Sequence, residues 1–348
     1  MSEESEVLVR RQGAAGIIVL NRPKALNALT QTMVREMDRA LKAWERDPAV
    51  TRIVVKGAGE RAFCAGGDIR ALHDLGKAGR QAEALAFWRE EYILNRYIKR
   101  YPKPYVALID GIVMGGGVGV SLHGSHRVAG DRIGFAMPEV GIGFFPDVGA
   151  TYALPRLPFR AGSYLALTGQ RIGRADALAL GIATHGVASV DFPAVEAGLI
   201  AGDDIDTLLK AHESVIEPSP LVAHKDIIER AFGGSSVRAI LTALDAEALA
   251  SEFARAAAAT MRTKSPLSMA IALEQMRRGS ALTFEEAMTM EMRIVTRVAA
   301  GHEFYEGVRA LIIDKDQKPA WRPASVDGVD PVEVATYFAP LPDDLIFA

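Results

Sequence analysis

The sequence lacks the features of a secreted, disulfide-stabilised protein. Its 348 residues contain a single cysteine, Cys64, so an intramolecular disulfide is excluded. The start, MSEESE, is acidic and has neither the basic nor the apolar region of a signal peptide. These two features predict a protein of the reducing cytoplasm.

An excess of charge of one sign and a long apolar run are also missing. The formal net charge of −3 gives no basic field for a phosphate backbone, so no nucleic-acid partner is expected. The most apolar window, YVALIDGIVMGGGVGVSL, is interrupted by Asp110 and by glycines, so no membrane span is expected. A composition that is 49% hydrophobic suits one large domain or two closely packed ones.

Several common catalytic and cofactor motifs are absent. There is no G-x-x-x-x-G-K-[ST] phosphate loop and no G-x-S-x-G nucleophile elbow, and the glycines of MGGGVGVS do not match G-x-G-x-x-G. His123 and His126 form H-x-x-H without a nearby cysteine or helical glutamate, so we expect no metal site. Cys64 has no pairable histidine nearby in the sequence, which favours a buried filler over a nucleophile.

What is present alternates between strand and helix patterns up to about residue 190. Turn residues and alternation predict a hairpin at 6–20 and strands at 52–57, 105–110 and 126–130. Helical periodicity predicts two long helices, at 30–46 and 81–100. A strand at 133–138, loops at 57–70 and 111–114 and a helix at 116–124 complete the pattern. The alternation predicts an α/β fold. Residues 194–300 are rich in Ala, Leu and Glu at helical spacing, so we predict a core domain over 1–193 and a helical region over 194–348.

Two glycine-rich turns, AFCAGGDIR at 62–70 and DGIVMGGGVG at 110–119, each precede a predicted helix. Backbone N–H groups at such turns are unpaired donors, and glycine lets a ligand approach the backbone closely. Two donors of this kind can form an oxyanion hole for a carbonyl oxygen. Either turn taken alone would more often be a simple tight turn, but the presence of both, together with two acids in an apolar loop, favours the oxyanion hole.

The segment PEVGIGFFPDVG at 138–149 places two carboxyls, Glu139 and Asp147, among glycine, proline and phenylalanine. Phe144 and Phe145 would shield such a carboxyl from water, which favours its protonated form, and a second carboxylate nearby separates the two pKa values. One acid can then act as base or nucleophile while the other carries a proton. The alternative is structural: Glu139 caps a turn and Asp147 caps a helix starting near Val148.

Four segments, in this order, resemble the crotonase (enoyl-CoA hydratase/isomerase) superfamily: NRPKALNALT, AFCAGGDI, PKPYVALIDGIVMGGGVG and FAMPEVGIGFFPDVG. The resemblance covers about residues 6–190 and, more weakly, helices at 264–320. It implies a crotonase-like spiral of ββα units with a helical C-terminal part. It also implies an acyl-CoA substrate whose thioester oxygen lies between two backbone N–H groups, which fall on Gly67 and Gly116.

Other segments resemble a subgroup of that superfamily that hydrolyses 3-hydroxyacyl-CoA thioesters, 3-hydroxyisobutyryl-CoA from valine breakdown in particular; they are GGGVGVSLHG, IGFFPDVG, EEYILNR and FYEGVRALIIDKDQKPAW. This resemblance implies that Glu139 and Asp147 are the catalytic acid pair and that Glu91 contacts the substrate. The hydratase pattern needs a glutamate where this chain has Gly119, which weighs against a hydratase. Isomerases place their acid variably and are excluded less firmly.

The superfamily resemblance implies further substrate-binding candidates. Lys24 and Ala25 correspond to the place where the superfamily meets the CoA nucleotide, although an exposed lysine without a role explains Lys24 nearly as well. The remaining candidates are Ala65, Gly66, Asp68, Phe144 and Phe145. Asp68 is also expected to cap the helix that follows it, whereas Glu90 is expected to be a solvated charge.

We therefore expect an acyl-CoA thioester hydrolase in which CoA is part of the substrate and no metal or redox cofactor is needed. A homo-oligomer is possible, because crotonases commonly form trimers through C-terminal helices. Two other functions stay open: an enoyl-CoA hydratase or isomerase, and, more distantly, a non-catalytic crotonase-like protein that binds RNA or protein. The sequence does not separate a covalent from a general-base route.

Overall fold

The computed structural model describes residues 5–347. Its strands are β1 Val7–Gln12, β2 Ala15–Leu20, β3 Arg52–Gly57, β4 Ala62–Cys64, β5 Tyr105–Ile109, β6 Ile112–Met114, β7 His126–Ala129, β8 Gly134–Ala136 and β9 His185–Gly186. Its helices are α1 Gln31–Arg46, α2 Ile69–Lys77, α3 Gln81–Lys99, α4 Gly116–Gly119, α5 Ala150–Ala153, α6 Ala161–Thr168, α7 Arg174–Ala179, α8 Phe192–Ala201, α9 Ile205–Ala211, α10 Lys225–Ala231, α11 Val237–Glu247, α12 Glu252–Met261, α13 Pro266–Gly279, α14 Phe284–Val298, α15 Glu303–Val308 and α16 Pro331–Thr336.

The strands form two sheets. The larger has the order β1-β2-β3-β5-β7-β9, in which β1 and β2 are an antiparallel hairpin and the later neighbours pair in parallel. The smaller has the order β4-β6-β8. After the hairpin, the pairs β3/β4, β5/β6 and β7/β8 each give their first strand to the large sheet and their second to the small one. This repeated use of strand pairs agrees with the predicted spiral of ββα units.

The chain divides into two compact units. The first, which we call the sheet unit, comprises the chain up to Asp68, Ile93–Phe135 and Ile172–Pro220. One face of its large sheet packs against apolar residues of α8 and α9. The sheet contributes Ala15, Ile17, Val19, Val54, Val106, Leu108 and Val128, and the helices contribute Val195, Leu199 and Leu209. All of β2 is buried, as expected for a strand covered on both faces.

The second, which we call the helical unit, comprises Ile69–Tyr92, Ala136–Arg171 and Leu221–Ala348. Two of its long helices begin at side-chain caps. The hydroxyls of Ser265 and Thr283 accept backbone N–H groups at the starts of α13 and α14, satisfying donors that have no partner inside a helix. The predicted division between 1–193 and 194–348 stays a prediction.

Local structure agrees with the sequence where patterns are long. The hairpin forms, and Thr30 caps α1 through its hydroxyl. Three short elements differ from the prediction. The predicted loops at 57–70 and 111–114 contain β4 and β6, which are only three residues long, and the helix predicted at 116–124 ends at Gly119 after one turn. Strands this short carry too few residues to show a period of two.

Candidate active site

The two glycine-rich turns and the NRPKALNALT loop meet in the sheet unit. The Ala65 N–H donates to the carbonyl of Leu26 at 3.0 Å, and the Leu29 N–H donates to the carbonyl of Gly66 at 2.8 Å. A bridge between Leu29 and Gly67 continues this pairing. The loop containing Lys24 and Ala25 is thus fixed against the first glycine turn.

The first glycine turn also lies beside the second. Gly66 has φ +114°, a conformation that favours glycine. A Cβ placed on Gly66 would lie 3.6 Å from the carbonyl oxygen of Met114 and 3.9 Å from the nitrogen of Gly116. Within residues 5–347, the N–H groups of Gly67 and Gly116 donate to no carbonyl or side chain. The sheet unit therefore brings together two unpaired backbone donors where the resemblance implied them.

The other candidates of the sheet unit surround these turns. Lys24 and Ala25 lie in an exposed turn at Pro23–Ala25. Asp68 immediately precedes α2, and its Oδ2 accepts a hydrogen bond from Arg22 at 3.0 Å. The carboxyl of Asp68 thus has a partner on the NRPKALNALT loop.

In the helical unit, Glu139 begins a tight turn, Glu139–Ile142, with Pro138 at its cap position. The Phe144 N–H closes this turn by donating to the carbonyl of Glu139 at 3.0 Å. Gly143 follows with φ +69°. The geometry returns the chain sharply, so that Glu139 is buried with only 6% of its surface exposed.

Two glycines let the turn pack backbone to backbone against α15. A Cβ on Gly143 would overlap the carbonyl of Glu303, and a Cβ on Gly307 would overlap the carbonyl group of Ile142. No side chain larger than hydrogen fits at either position. The turn carrying Glu139 is therefore fixed by main-chain contacts.

The two predicted phenylalanines are buried in an aromatic cluster. Phe144 stacks on Phe145 with ring centroids 4.7 Å apart and on Trp88 at 5.6 Å, and Phe304 packs against Phe144 at 5.5 Å. Phe145 is fully buried. The cluster gives the PEVGIGFFPDVG segment apolar, water-excluding surroundings.

Asp147 lies in the same buried segment and is bonded to α3. Tyr92 donates its hydroxyl to Oδ2 of Asp147 at 2.9 Å, with both side chains buried. Burial raises the pKa of Asp147 to about 7, while the Tyr92 hydrogen bond acts in the opposite direction. The alternative role for Asp147 is wrong, because α5 begins at Ala150 with Gly149 at its cap position.

Glu91 and Glu139 complete a set of acids coupled to Asp147. Burial and then Asp147 raise the pKa of Glu139 well above its usual range, and the same two causes, with Glu291, raise the pKa of Glu91. Oε1 of Glu91 and Oε2 of Glu139 have no hydrogen-bond partner among residues 5–347. Buried carboxyl oxygens without partners are costly, and such acids are typical of sites that move protons.

Sequence reasoning missed Glu291 on α14 and the role of Tyr92. Glu291 is fully buried and accepts the N–H groups of Gly149 and Thr151 at 2.8 and 3.0 Å. Burial and then Asp147 raise its pKa to about 8. A signal for Glu291 was present, because it stands among methionines at the helical spacing of a buried face, as Met288 and Met292 show.

Two features are absent from the described part of the chain. No helix within it combines the length and the apolarity that a bilayer crossing requires. Within the same residues, no group of three or more histidine, cysteine, aspartate or glutamate side chains could hold a metal ion. The expectation that no metal or redox cofactor is needed stays a prediction.

The fold and these residues define a class. The family model described as enoyl-CoA hydratase/isomerase matches residues 15–338, and the chain belongs to this family. Among curated relatives, it is 46% identical to the mitochondrial 3-hydroxyisobutyryl-CoA hydrolase of Xenopus tropicalis over 97% of this chain and 90% of that protein. It is 45% identical to the Homo sapiens protein of the same name over 97% of this chain and 89% of the relative.

Solved structures confirm the fold. A carnitinyl-CoA dehydratase from Mycobacterium thermoresistibile has a TM-score of 0.94 and 43% identity, with 99% of both chains covered. An enoyl-CoA hydratase from Rhodobacter sphaeroides 2.4.1 has a TM-score of 0.93 and 43% identity, with 99% of this chain and 100% of that chain covered. Similarity of this extent shows that the predicted crotonase-like fold is right.

Proposed function

We propose that this chain hydrolyses the thioester of a short 3-hydroxyacyl-CoA, with 3-hydroxyisobutyryl-CoA as its main substrate. The observation that carries the proposal is the buried pair Glu139 and Asp147, electrostatically coupled and shielded from water. The identity to 3-hydroxyisobutyryl-CoA hydrolases along nearly the whole chain supports the choice of substrate.

In the proposed reaction, the N–H groups of Gly67 and Gly116 polarise the thioester carbonyl. Both N–H groups lack an acceptor among the described residues, as an oxyanion hole requires. Negative charge that develops on the carbonyl oxygen is stabilised by these donors, and the carbon becomes open to attack.

Glu139 and Asp147 then divide the proton chemistry. Two close, buried carboxyls hold one proton between them over a range of pH, so that one can act as base or nucleophile while the other acts as acid. On the first route, Glu139 attacks the carbonyl carbon, the C–S bond breaks, Asp147 gives its proton to the CoA thiolate, and water oriented by Asp147 then hydrolyses the acyl-enzyme anhydride to release the acid and regenerate Glu139. On the second route, Glu139 takes a proton from the water that attacks the carbonyl carbon, the C–S bond breaks, and Asp147 gives its proton to the CoA thiolate, so that the free acid and CoA thiol leave.

The two routes differ in one observable. If Glu139 attacks, rapid acid quenching during turnover and mass spectrometry of the protein should reveal an acyl adduct on the peptide containing Glu139. If Glu139 activates water, the peptide stays unmodified at every quench time.

Other candidates contribute to binding in this proposal. Glu91, whose Oε1 has no partner among residues 5–347, contacts the acyl group. Ala65, Gly66 and Asp68 border the thioester, and Lys24 and Ala25 meet the CoA nucleotide. Phe144 and Phe145 act from within the aromatic cluster by keeping water from the acids.

A hydratase is the second candidate, because the two solved structures reported above are described as a dehydratase and a hydratase. Hydration across a double bond uses two general acid–base carboxylates. The position of the first is occupied here by Gly119, the last residue of α4. The chain therefore lacks the side chain that this reaction needs at that place.

The deciding experiment supplies purified protein with 3-hydroxyisobutyryl-CoA, 3-hydroxypropionyl-CoA and crotonyl-CoA while free thiol and enoyl absorbance are followed together. We expect thiol release from the hydroxyacyl substrates. Loss of enoyl absorbance without thiol would identify a hydratase instead. No turnover, together with salt-sensitive RNA binding, would support the non-catalytic alternative.

The biological setting is part of the proposal. A role in valine breakdown follows from the substrate, and a homo-oligomer is proposed from the crotonase resemblance. The cytoplasmic location stays a prediction, and the curated relatives are described as mitochondrial. Cell fractionation with an antibody to this chain would locate it, and light scattering would give its oligomeric state.

A further inference from the structure

The backbone around Asp147 has an unusual conformation. Val148 has φ +53° and Gly149 has φ +90°. The left-handed region is costly for a β-branched residue such as valine. Conformations of this kind persist where the surrounding structure determines them, and they cluster at functional sites.

On the C-terminal side of Asp147, hydrogen bonds from the backbone to Glu291 hold this conformation in place. Its Oε2 accepts the Gly149 N–H at 2.8 Å and its Oε1 accepts the Thr151 N–H at 3.0 Å. Burying a carboxyl among methionines of α14 is unfavourable unless both oxygens are bonded. Here both oxygens are bonded, and both bonds come from residues just after Asp147, namely Gly149 and Thr151.

On the other side of Asp147, Gln275 of α13 fixes the chain. Its Nε2 donates to the carbonyl of Pro146 and to the hydroxyl of Thr151. Gln275 is fully buried. Asp147 is therefore bracketed, with its preceding carbonyl held by α13 and its following N–H groups held by α14.

We propose that Glu291 and Gln275 are positioning residues that hold the loop at 146–151 so that the carboxyl of Asp147 meets Tyr92 and the reacting groups. The inference rests on the proposed function, because it assigns Glu291 and Gln275 a part in the same hydrolysis. Neither side chain needs to touch the substrate. Both act through Asp147, whose Oδ2 accepts the Tyr92 hydroxyl at 2.9 Å in this arrangement of the loop.

The test is a double-mutant cycle between Glu291→Gln and Asp147→Asn. Glu291→Gln keeps the shape but replaces one acceptor by an NH₂ group facing an N–H donor. We expect kcat for thiol release to fall about 10–100-fold with KM changed less than about threefold, since misplacement of a reacting group mainly affects the chemical step. In the Asp147→Asn background, the same change should cost less than about threefold, because groups that act as a unit are not additive.

Glu285→Gln on the same helix is the matched control, since Glu285 is only partly buried and lies in the first turn of α14, before the buried position of Glu291. It should leave kcat unchanged. If Glu291→Gln does not fold by circular dichroism, Gln275→Met replaces it in the same cycle, because methionine keeps the length of glutamine and removes the donor.

Three results would overturn the inference. A folded Glu291→Gln variant with kcat within twofold of the wild type shows that the clamp has no part in the reaction. An equal loss in both backgrounds shows that the effect does not pass through Asp147. A wild-type protein that releases no thiol overturns the proposed function and the inference together, and this outcome is distinct from the first two, in which the wild type is active.

Discussion

The sheet unit and the helical unit offer different kinds of chemical groups. The candidates of the sheet unit are mainly backbone N–H groups at glycine turns, and they depend on conformations such as φ +114° at Gly66. The candidates of the helical unit are carboxyls whose pKa values are raised by burial. Backbone donors carry no titratable proton, so the pH dependence of the reaction should come from the helical unit alone.

The largest effect should come from removing the acids of the helical unit. We expect Glu139→Gln and Asp147→Asn each to lower kcat by at least about 10²-fold, because an amide of the same shape cannot exchange a proton. Thiol release with 3-hydroxyisobutyryl-CoA measures the effect. Glu90→Gln, on the partly exposed side of α3, serves as the control and should be active. An amide variant with normal circular dichroism and near-normal turnover would remove that acid from the mechanism.

A smaller effect should follow from disturbing the backbone donors of the sheet unit. A side chain at φ +114° is strained, so Gly66→Ala should move the neighbouring Gly67 N–H and lower kcat about 10-fold or more. Gly181→Ala is the matched control, since Gly181 has φ +73° and an added Cβ would meet no atom within 4 Å. Both variants should lose some thermal stability. Equal kcat in the two variants would argue against the role of the glycine turn.

The pH dependence of kcat/KM tests whether Asp147 of the helical unit sets the protonation state of the site. The Tyr92 hydroxyl lowers the pKa of Asp147 from the value that burial alone would give, so Tyr92→Phe should raise it further above about 7. If the pair acts with one proton shared between Glu139 and Asp147, kcat/KM rises as the pair loses the first of its two protons, and in the variant this rise should move to higher pH by roughly 0.5–1 unit.

Tyr105→Phe is the control for that profile, because Tyr105 is a buried tyrosine of the sheet unit whose hydroxyl donates to the Val120 carbonyl. It loses a comparable hydrogen bond without facing the acids. A Tyr92→Phe profile that overlays the wild type would show that Asp147 does not set the acidic limb.

The smallest effect is expected at Lys24, in the exposed turn of the sheet unit. An exposed cation near a phosphate contributes little and is screened by salt. Lys24→Ala should therefore raise KM about 2–5-fold at low ionic strength, leave kcat unchanged and lose its effect at high salt. Lys42→Ala, on α1 and paired with Asp38, should leave KM unchanged. The same KM in wild type and Lys24→Ala would leave Lys24 without a binding role.

Much of the fold could be predicted because its long elements follow simple rules. The β1–β2 hairpin and the Thr30 cap of α1 were visible as alternation, helical spacing and a capping hydroxyl. The strands β4 and β6 were missed because their pairing is decided by partners distant in sequence rather than by their own three residues.

The candidate site was predicted in part for a similar reason. Glu139 and Asp147 stand out because acids are rare among glycine and phenylalanine, and Glu91 came from resemblance. Glu291 lies about 140 residues further along the chain than the loop at 146–151 whose N–H groups it accepts. Only the tertiary structure shows that these groups are its partners. Tyr92 was missed, because the sequence does not reveal which group a buried tyrosine hydroxyl contacts.

The contact between the Glu139 turn and α15 limits how this enzyme can diversify. Gly143 and Gly307 meet opposing main-chain groups directly, so neither position tolerates substitution without moving the turn. Natural drift or a directed-evolution library is therefore expected to keep these two glycines and to vary neighbouring positions instead. Main-chain packing makes the Glu139 turn one of the segments of the helical unit that are least open to sequence change.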